Sequence, residues 1–281
     1  MNLKNIGVKM GAYLSEAYGS DFPYPPTQIR SYTGEELNQL GYQALIYNNE
    51  DEKEIYSKIH GIVETIKEFY WTTFQLVGVD GEGAIPPFFV HYPEKNAYYA
   101  LKKLKHFVFN NEFASQPDVV CHEMTHAMIE NHNLLGNQGE AGALNEAIAD
   151  IVAIAFKRKI SGIDKGWEIS TFRDLSTAPE KFKSVVNYNK DNDYGYVHDN
   201  SLIISHTFYL ASTSLNYDST HCDLLLGIWF KSMLDLKDKT FTGFKSKTLE
   251  ANEEVFFQGG SIIINAIKKA WQKTSHLFPN A

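Results

Sequence analysis

At 281 residues, 43% of them hydrophobic and 14% aromatic, the chain is long enough for one large domain or two small ones and for a sizeable core. A formal charge of −8 with no basic cluster excludes the positive patch that nucleic-acid binding needs, and the acidic surplus reads as plain solubility. No apolar run approaches the roughly 18 residues of a membrane span, so no membrane partner is expected, and two cysteines do not make a disulfide framework.

The first ten residues show no continuous apolar signal region and no small-residue cleavage site. The expected place of work is therefore left open between the cytoplasm, the exterior by a signal-independent route, and a sequence trimmed of its leading segment. Phe22-Pro23-Tyr24-Pro25-Pro26 reads as a loop or extended segment and Gly41 to Tyr47 as a strand. Asp51 to Gln75 carries Ile55, Ile59, Ile62, Val63, Ile66, Phe69 and Tyr70 at helical spacing, with acidic residues at its start. A turn-rich loop from Gly78 to Pro87 leads into a strand over Phe88 to Tyr92, and His106 to Phe109 reads as a second. Beyond Asp118 the pattern predicts helices near 118–132, 140–158, 200–214, 222–236 and 260–275.

His122-Glu123-Met124-Thr125-His126 lies in the first of these helices. Helical geometry stacks His122 and His126 on one face, where two imidazoles grip one zinc ion. Glu123 is turned about 100° from His122, too far round to be a third ligand but within reach of a water on the metal. Alone, the pentapeptide is also compatible with an amphipathic helix bearing two ordinary histidines, and a third ligand decides the matter. Leu144 to Phe156 is an Ala-rich apolar run without Pro or Gly, which reads as a buried helix, yet it carries Glu146 and Asp150 four residues apart. Buried carboxylates are costly unless paired or bound to a metal. Glu146 is thus the candidate third ligand, and Asp150 the carboxylate that orients a ligating histidine.

These residues resemble the thermolysin-type metalloproteases of the gluzincin group, in which H-E-x-x-H is followed by a helix reading G-A-(I/L)-N-E-A-(I/F)-(S/A)-D, here Gly142 to Asp150. The resemblance implies His122, His126 and Glu146 as zinc ligands, Glu123 as general base, and Asp150 and Asn145 as partners of the two histidines. Val90-His91-Tyr92 with Asn96-Ala97-Tyr98-Tyr99 resembles the family's edge strand, whose Asn side chain and Ala carbonyl hold the substrate backbone as an added β-strand. Phe172-Arg173-Asp174 resembles the segment whose Arg binds the substrate carbonyl beyond the scissile bond. Asp193 to Ser201 resembles D-x-G-G-V-H-x-N-S, implying that His198 donates to the oxyanion and that Asp193 supports it. The match is strong from about residue 90 to 205 and weak before 50 and after 210.

Four departures stand out. Asn137 occupies the position nine residues before Glu146 where the family carries a Tyr as second oxyanion donor, so slower turnover is expected. Asp118 and Glu168 match calcium-ligand positions, but Lys157, Gly166 and Thr171 stand where carboxylates are usual. Calcium needs six to eight oxygens and an ammonium supplies none, so the calcium site reads as dismantled, with the Lys157 charge in its stead beside Asp118. Phe172 replaces the Leu that the resembled family has in the wall of the pocket after the scissile bond, while Val119 at another wall position is unchanged, which predicts a preference for smaller side chains there. Asp199 sits beside His198 and is expected to favour its cationic form.

The expected fold is α+β. A mixed, β-rich N-terminal lobe (1–131) ends in the central H-E-x-x-H helix, a mainly helical C-terminal lobe (132–281) follows, and the active-site cleft lies between them. The expected function is zinc-dependent endopeptidase, acting as a monomer on peptides or proteins. Two alternatives are an aminopeptidase of the same group, disfavoured because its G-x-M-E-N-type segment is missing, and a catalytically weak zinc-bearing peptide-binding protein, supported by Asn137. Cys121 points away from the ligand face and reads as a small buried residue.

Overall fold

The computed structural model describes residues 50–279 apart from 91, 101–104, 133–134, 163–165, 171 and 256–260. The expected loop at Phe22–Pro26 and strand at Gly41–Tyr47 lie outside the described residues. The chain divides into two compact units, one ending at Met128 and the other beginning at Ile129. The described residues are mainly helical, with few and short strands, and none of their helices is long and apolar enough to cross a membrane.

In the N-terminal unit, α1 (Glu50–Phe74) buries Ile59, Val63, Ile66, Tyr70 and Phe74 completely, the stripe that its three- and four-residue spacing dictates. Three short strands follow: β1 (Phe88–Phe89), β2 (Ala97–Ala100) and β3 (His106–Phe109). Their order is β1-β3-β2, with β3 parallel to β1 and antiparallel to β2. Phe88 stacks on Phe107 at 4.6 Å, so the aromatic side chains of alternate positions form the face of this sheet. The first strand is shorter than its sequence suggests. Its ladder stops at Phe89, although the Tyr92 amide still donates to Phe109 O at 3.0 Å. A single turn, α2 (Asn111–Ala114), capped by the Asn110 side chain, leads into α3 (Pro117–Asn131). Pro117 opens α3, where its missing N–H is no loss, and Asp118 complements the helix dipole.

The C-terminal unit is built on α4 (Gly139–Ser161), α5 (Asp193–Ser214), α6 (Ser219–Leu234), α7 (Phe241–Val255) and α8 (Ser261–Thr274). A two-stranded ribbon, β4 (Glu168–Ile169) and β5 (Arg173–Asp174), connects α4 to the loop before α5. Its core centres on Trp229 and Trp271, stacked at 5.9 Å and within 3° of parallel, with Phe244 edge-on to both. The Trp271 indole N–H donates to Thr248 Oγ1 at 2.8 Å, as a buried indole requires. α7 has no counterpart in the sequence reading. Phe241, Phe244 and Thr248 are buried along it, too thin a stripe to register as a helical period.

Candidate active site

α3 is buried almost all round: Val119 through Thr125 lie within 7% of full burial, as do Ala127, Met128 and Ile129. Its regular geometry brings the two histidine rings edge to face, with His122 Nε2 and His126 Nε2 2.9 Å apart. Glu123, only 7% exposed, occupies the neighbouring direction on the helix. Inside the same unit Tyr70 of α1 fixes the far side of α3. Its hydroxyl pairs with Thr125 Oγ1 at 2.8 Å, and Thr125 in turn donates to Cys121 O at 2.8 Å. Burial pushes the Cys121 thiol well above its usual pKa, consistent with a packing residue.

In the C-terminal unit, α4 carries Glu146 and Asp150 one turn apart. Arg173 grips the fully buried Asp150 with two parallel bonds, Nε to Oδ2 at 2.7 Å and Nη2 to Oδ1 at 2.6 Å. This guanidinium answers the desolvation of the carboxylate, and it reaches to 3.6 Å from Glu146 Oε2. His198 Nε2 lies 3.3 Å from the same oxygen, while its Nδ1 faces both Asp193 oxygens at 2.9 Å and its amide donates to Asp193 Oδ2. Asn145 Nδ2 donates to Gly136 O at 3.1 Å.

The segment leading to His198 is not regular helix. Asp193, Tyr194, Gly195 and Tyr196 all have positive φ, of 49°, 51°, 106° and 54°. The resembled pattern has Gly at position 196; here Tyr196 takes the left-handed conformation despite its β-carbon. Tyr188 braces this run. A β-carbon on Gly195 would lie 2.9 Å from the Tyr188 ring, and one on Gly139, at the head of α4, 2.7 Å from its hydroxyl. One ring therefore sits on two glycines from the start of α4 and from the approach to His198. Nothing in the spacing of the sequence signals this contact.

The remaining predicted residues fall in defined places. Asn96 and Ala97 stand at the start of β2, an edge in the order of the described strands, and the Ala97 amide donates to Asn96 Oδ1 at 2.9 Å. Val119 is buried, whereas Phe172 in the turn of the β4–β5 ribbon is 48% exposed. Asp199 meets a lysine rather than the imidazole expected of it, with Lys183 Nζ at 2.6 Å. Lys157 Nζ donates to Glu168 O at 2.8 Å, so an ammonium reaches the backbone of a predicted calcium-ligand residue. α3 thus offers two imidazoles, those of His122 and His126, and α4 the carboxylate of Glu146. Two imidazoles and a carboxylate are the donor set of an open zinc site, so these residues fit that ion.

Comparison with known proteins defines the class as metallopeptidase. Residues 33–130 match the model of the thermolysin metallopeptidase catalytic domain, and residues 134–275 match that of its alpha-helical domain. The chain belongs to the thermolysin metallopeptidase family. It is 26% identical over 237 residues to a zinc metalloproteinase of Listeria monocytogenes, covering 76% of this chain and 44% of the relative. To an extracellular metalloprotease of Pectobacterium carotovorum it is 26% identical over 245 residues, covering 73% of this chain and 68% of the relative. The chain thus spans less than half the length of the first of these. The structure of the precursor of protealysin, a metalloproteinase from Serratia proteamaculans, has the same fold, with a TM-score of 0.66 at 24% identity over 83% of this chain and 82% of that one.

Proposed function

We propose that the chain is a zinc-dependent endopeptidase that hydrolyses internal bonds of peptides or proteins, acting as a monomer. The observation that carries this reading is the convergence of the His122 and His126 Nε2 atoms on one turn of a regular helix, with Glu123 beside them. A zinc ion held by His122, His126 and Glu146 would supply Lewis acidity, lowering the pKa of a water to about 7. Glu123 accepts the proton of the attacking water and passes it to the leaving amine. His198, its Nδ1 turned to Asp193, donates to the oxyanion from Nε2. Arg173, oriented by Asp150, donates to the carbonyl beyond the scissile bond. Asn96 and Ala97 at the edge of β2 hold the substrate backbone, Val119 and Phe172 bound its side-chain pocket, and Asn145 steadies the ligand helix. The name of the Pectobacterium relative supports work outside the cell.

A blocked peptide library tests this reading, with and without chelator, beside Glu123→Gln. Internal cleavage that chelator abolishes, and that falls about 100- to 10,000-fold in Glu123→Gln, is expected. Full activity in that variant would remove Glu123 from the role of base, and a demand for a free amine would make the protein an aminopeptidase. We also propose that the Lys157 ammonium takes the place of calcium. The thermal midpoint is then insensitive to millimolar calcium, and a strong rise would contradict the substitution.

A further inference from the structure

Asp193, Tyr194, Gly195 and Tyr196 combine their positive φ with ψ of 44°, 31°, 31° and 44°, so the four make one left-handed turn just before Val197 and His198. Glycine takes this conformation freely and aspartate visits it with the help of local hydrogen bonds, whereas the β-carbon of a tyrosine crowds the carbonyl that follows it. Tyr194 is tied back through its amide, which donates to Asn189 O at 2.7 Å. Tyr196 stands where the resembled pattern has Gly, at the end of the turn and two residues before His198. A conformation of this kind persists where the surroundings over-determine it.

Lys183 supplies such surroundings. Its Nζ lies 5.5 Å from the centroid of the Tyr196 ring and 2.6 Å from Asp199 Oδ2, so one ammonium joins the residues on either side of the Val197–His198 pair. Lys183 is itself held at the backbone. The buried Asn200 side chain accepts from Lys183 N at 2.8 Å and donates to Lys183 O at 2.9 Å and to Gly195 O at 3.0 Å. Its amide is thereby fully used, and it ties the Lys183 segment to the left-handed turn. The adjoining Phe182 ring meets Phe241 edge-on at 5.7 Å, and the Phe241 amide donates to Glu140 of α4 at 2.8 Å. Half-exposed ion pairs and cation–π contacts are each weak, partly because a long side chain must be ordered to make them. Here the stem leaves a fixed backbone, and one ammonium makes both contacts.

We propose that Lys183 is a positioning residue for His198: bridging the Tyr196 ring and the Asp199 carboxylate, its ammonium holds Tyr196 left-handed and so keeps the imidazole turned as the reaction needs it. The proposal rests on the endopeptidase reading, in which His198 donates to the oxyanion. Lys183 touches neither substrate nor reacting atoms in this role, and acts only through the turn. Tyr196 and Asp199 are then one coupled feature of this chain, met by a single lysine.

The test compares Lys183→Met in the wild-type and Tyr196→Gly backgrounds, using the full chain supplied with zinc. Two quantities are measured: steady-state cleavage of a blocked peptide, and hydrogen exchange at the His198 amide, which donates to Asp193 Oδ2. In the wild-type background kcat should fall about three- to tenfold with KM unchanged, and the amide should exchange faster by a similar factor. In the Tyr196→Gly background, where glycine turns left-handed unaided, Lys183→Met should change neither. Lys183→Arg keeps a cation that stacks on a ring and pairs with a carboxylate, and should preserve both quantities. An equal loss in the two backgrounds would make Lys183 a general stabiliser and overturn the proposal. So would a raised KM with kcat intact, or an exchange rate that Lys183→Met leaves unchanged in the wild-type background. If Lys183→Met does not fold, Asp199→Asn removes one end of the bridge and should show the same dependence on Tyr196 in milder form; an effect alike in both backgrounds overturns the proposal there too. Exchange needs no substrate, so a chain that cleaves no peptide fails the endopeptidase reading while the hold on the turn is still decided by the amide.

Discussion

α3 and the run from Tyr188 to His198 each position functional histidines, and they do so by opposite means. α3 is a regular helix whose polar motif is held by apolar burial on nearly every side and by the Tyr70–Thr125 hydrogen bond. The approach to His198 departs from helix at Tyr194, Gly195 and Tyr196, exposes nearly half of the imidazole, and is held by Asp193 and by the Tyr188 ring. Burial fixes a position cheaply when a periodic sequence can supply it. A half-exposed side chain that must face a particular direction needs local hydrogen bonds and backbone strain, which persist where the surroundings over-determine them.

The contrast can be broken or sharpened by substitution. The largest effect is expected at Asn137, where the second oxyanion donor of the resembled family is missing. Asn137→Tyr should raise kcat up to about 100-fold; an unchanged or lower kcat would show that this position does not limit turnover. Next comes the strained run. Asp193→Asn replaces the carboxylate facing His198 Nδ1 by an amide, and kcat should fall about tenfold or more with little change in the urea midpoint. A large loss of stability with kcat intact would make Asp193 a structural residue. The smallest effect belongs to α3: Tyr70→Phe removes one buried hydrogen bond, about 1 kcal/mol of stability by urea unfolding, and should leave kcat where it was. If the two variants exchanged behaviours, the division between burial and local constraint would fail.

What the sequence made legible follows the same division. The spacing of His122 and His126, the carboxylate pair Glu146 and Asp150, and the stripe of α1 are all properties of one helix read along itself. Partners far apart in sequence were not legible. The grip of Arg173 on Asp150, 23 residues away, gives Arg173 a structural role beside its expected one, because periodicity reports that a carboxylate is buried and not what answers its charge. Asp199 likewise finds Lys183. The left-handed Tyr196 was hidden because a tyrosine is not a signal for positive φ.

The central claim is that His122, His126 and Glu146 together hold one zinc ion while Glu123 does not. Zinc content after dialysis against a graded chelator series tests it most directly. The account predicts about one zinc per chain in the wild type and in Glu123→Gln, and an affinity about 100-fold lower or worse in His122→Ala and in Glu146→Ala. Zinc retained undiminished in Glu146→Ala, or lost in Glu123→Gln, would contradict it.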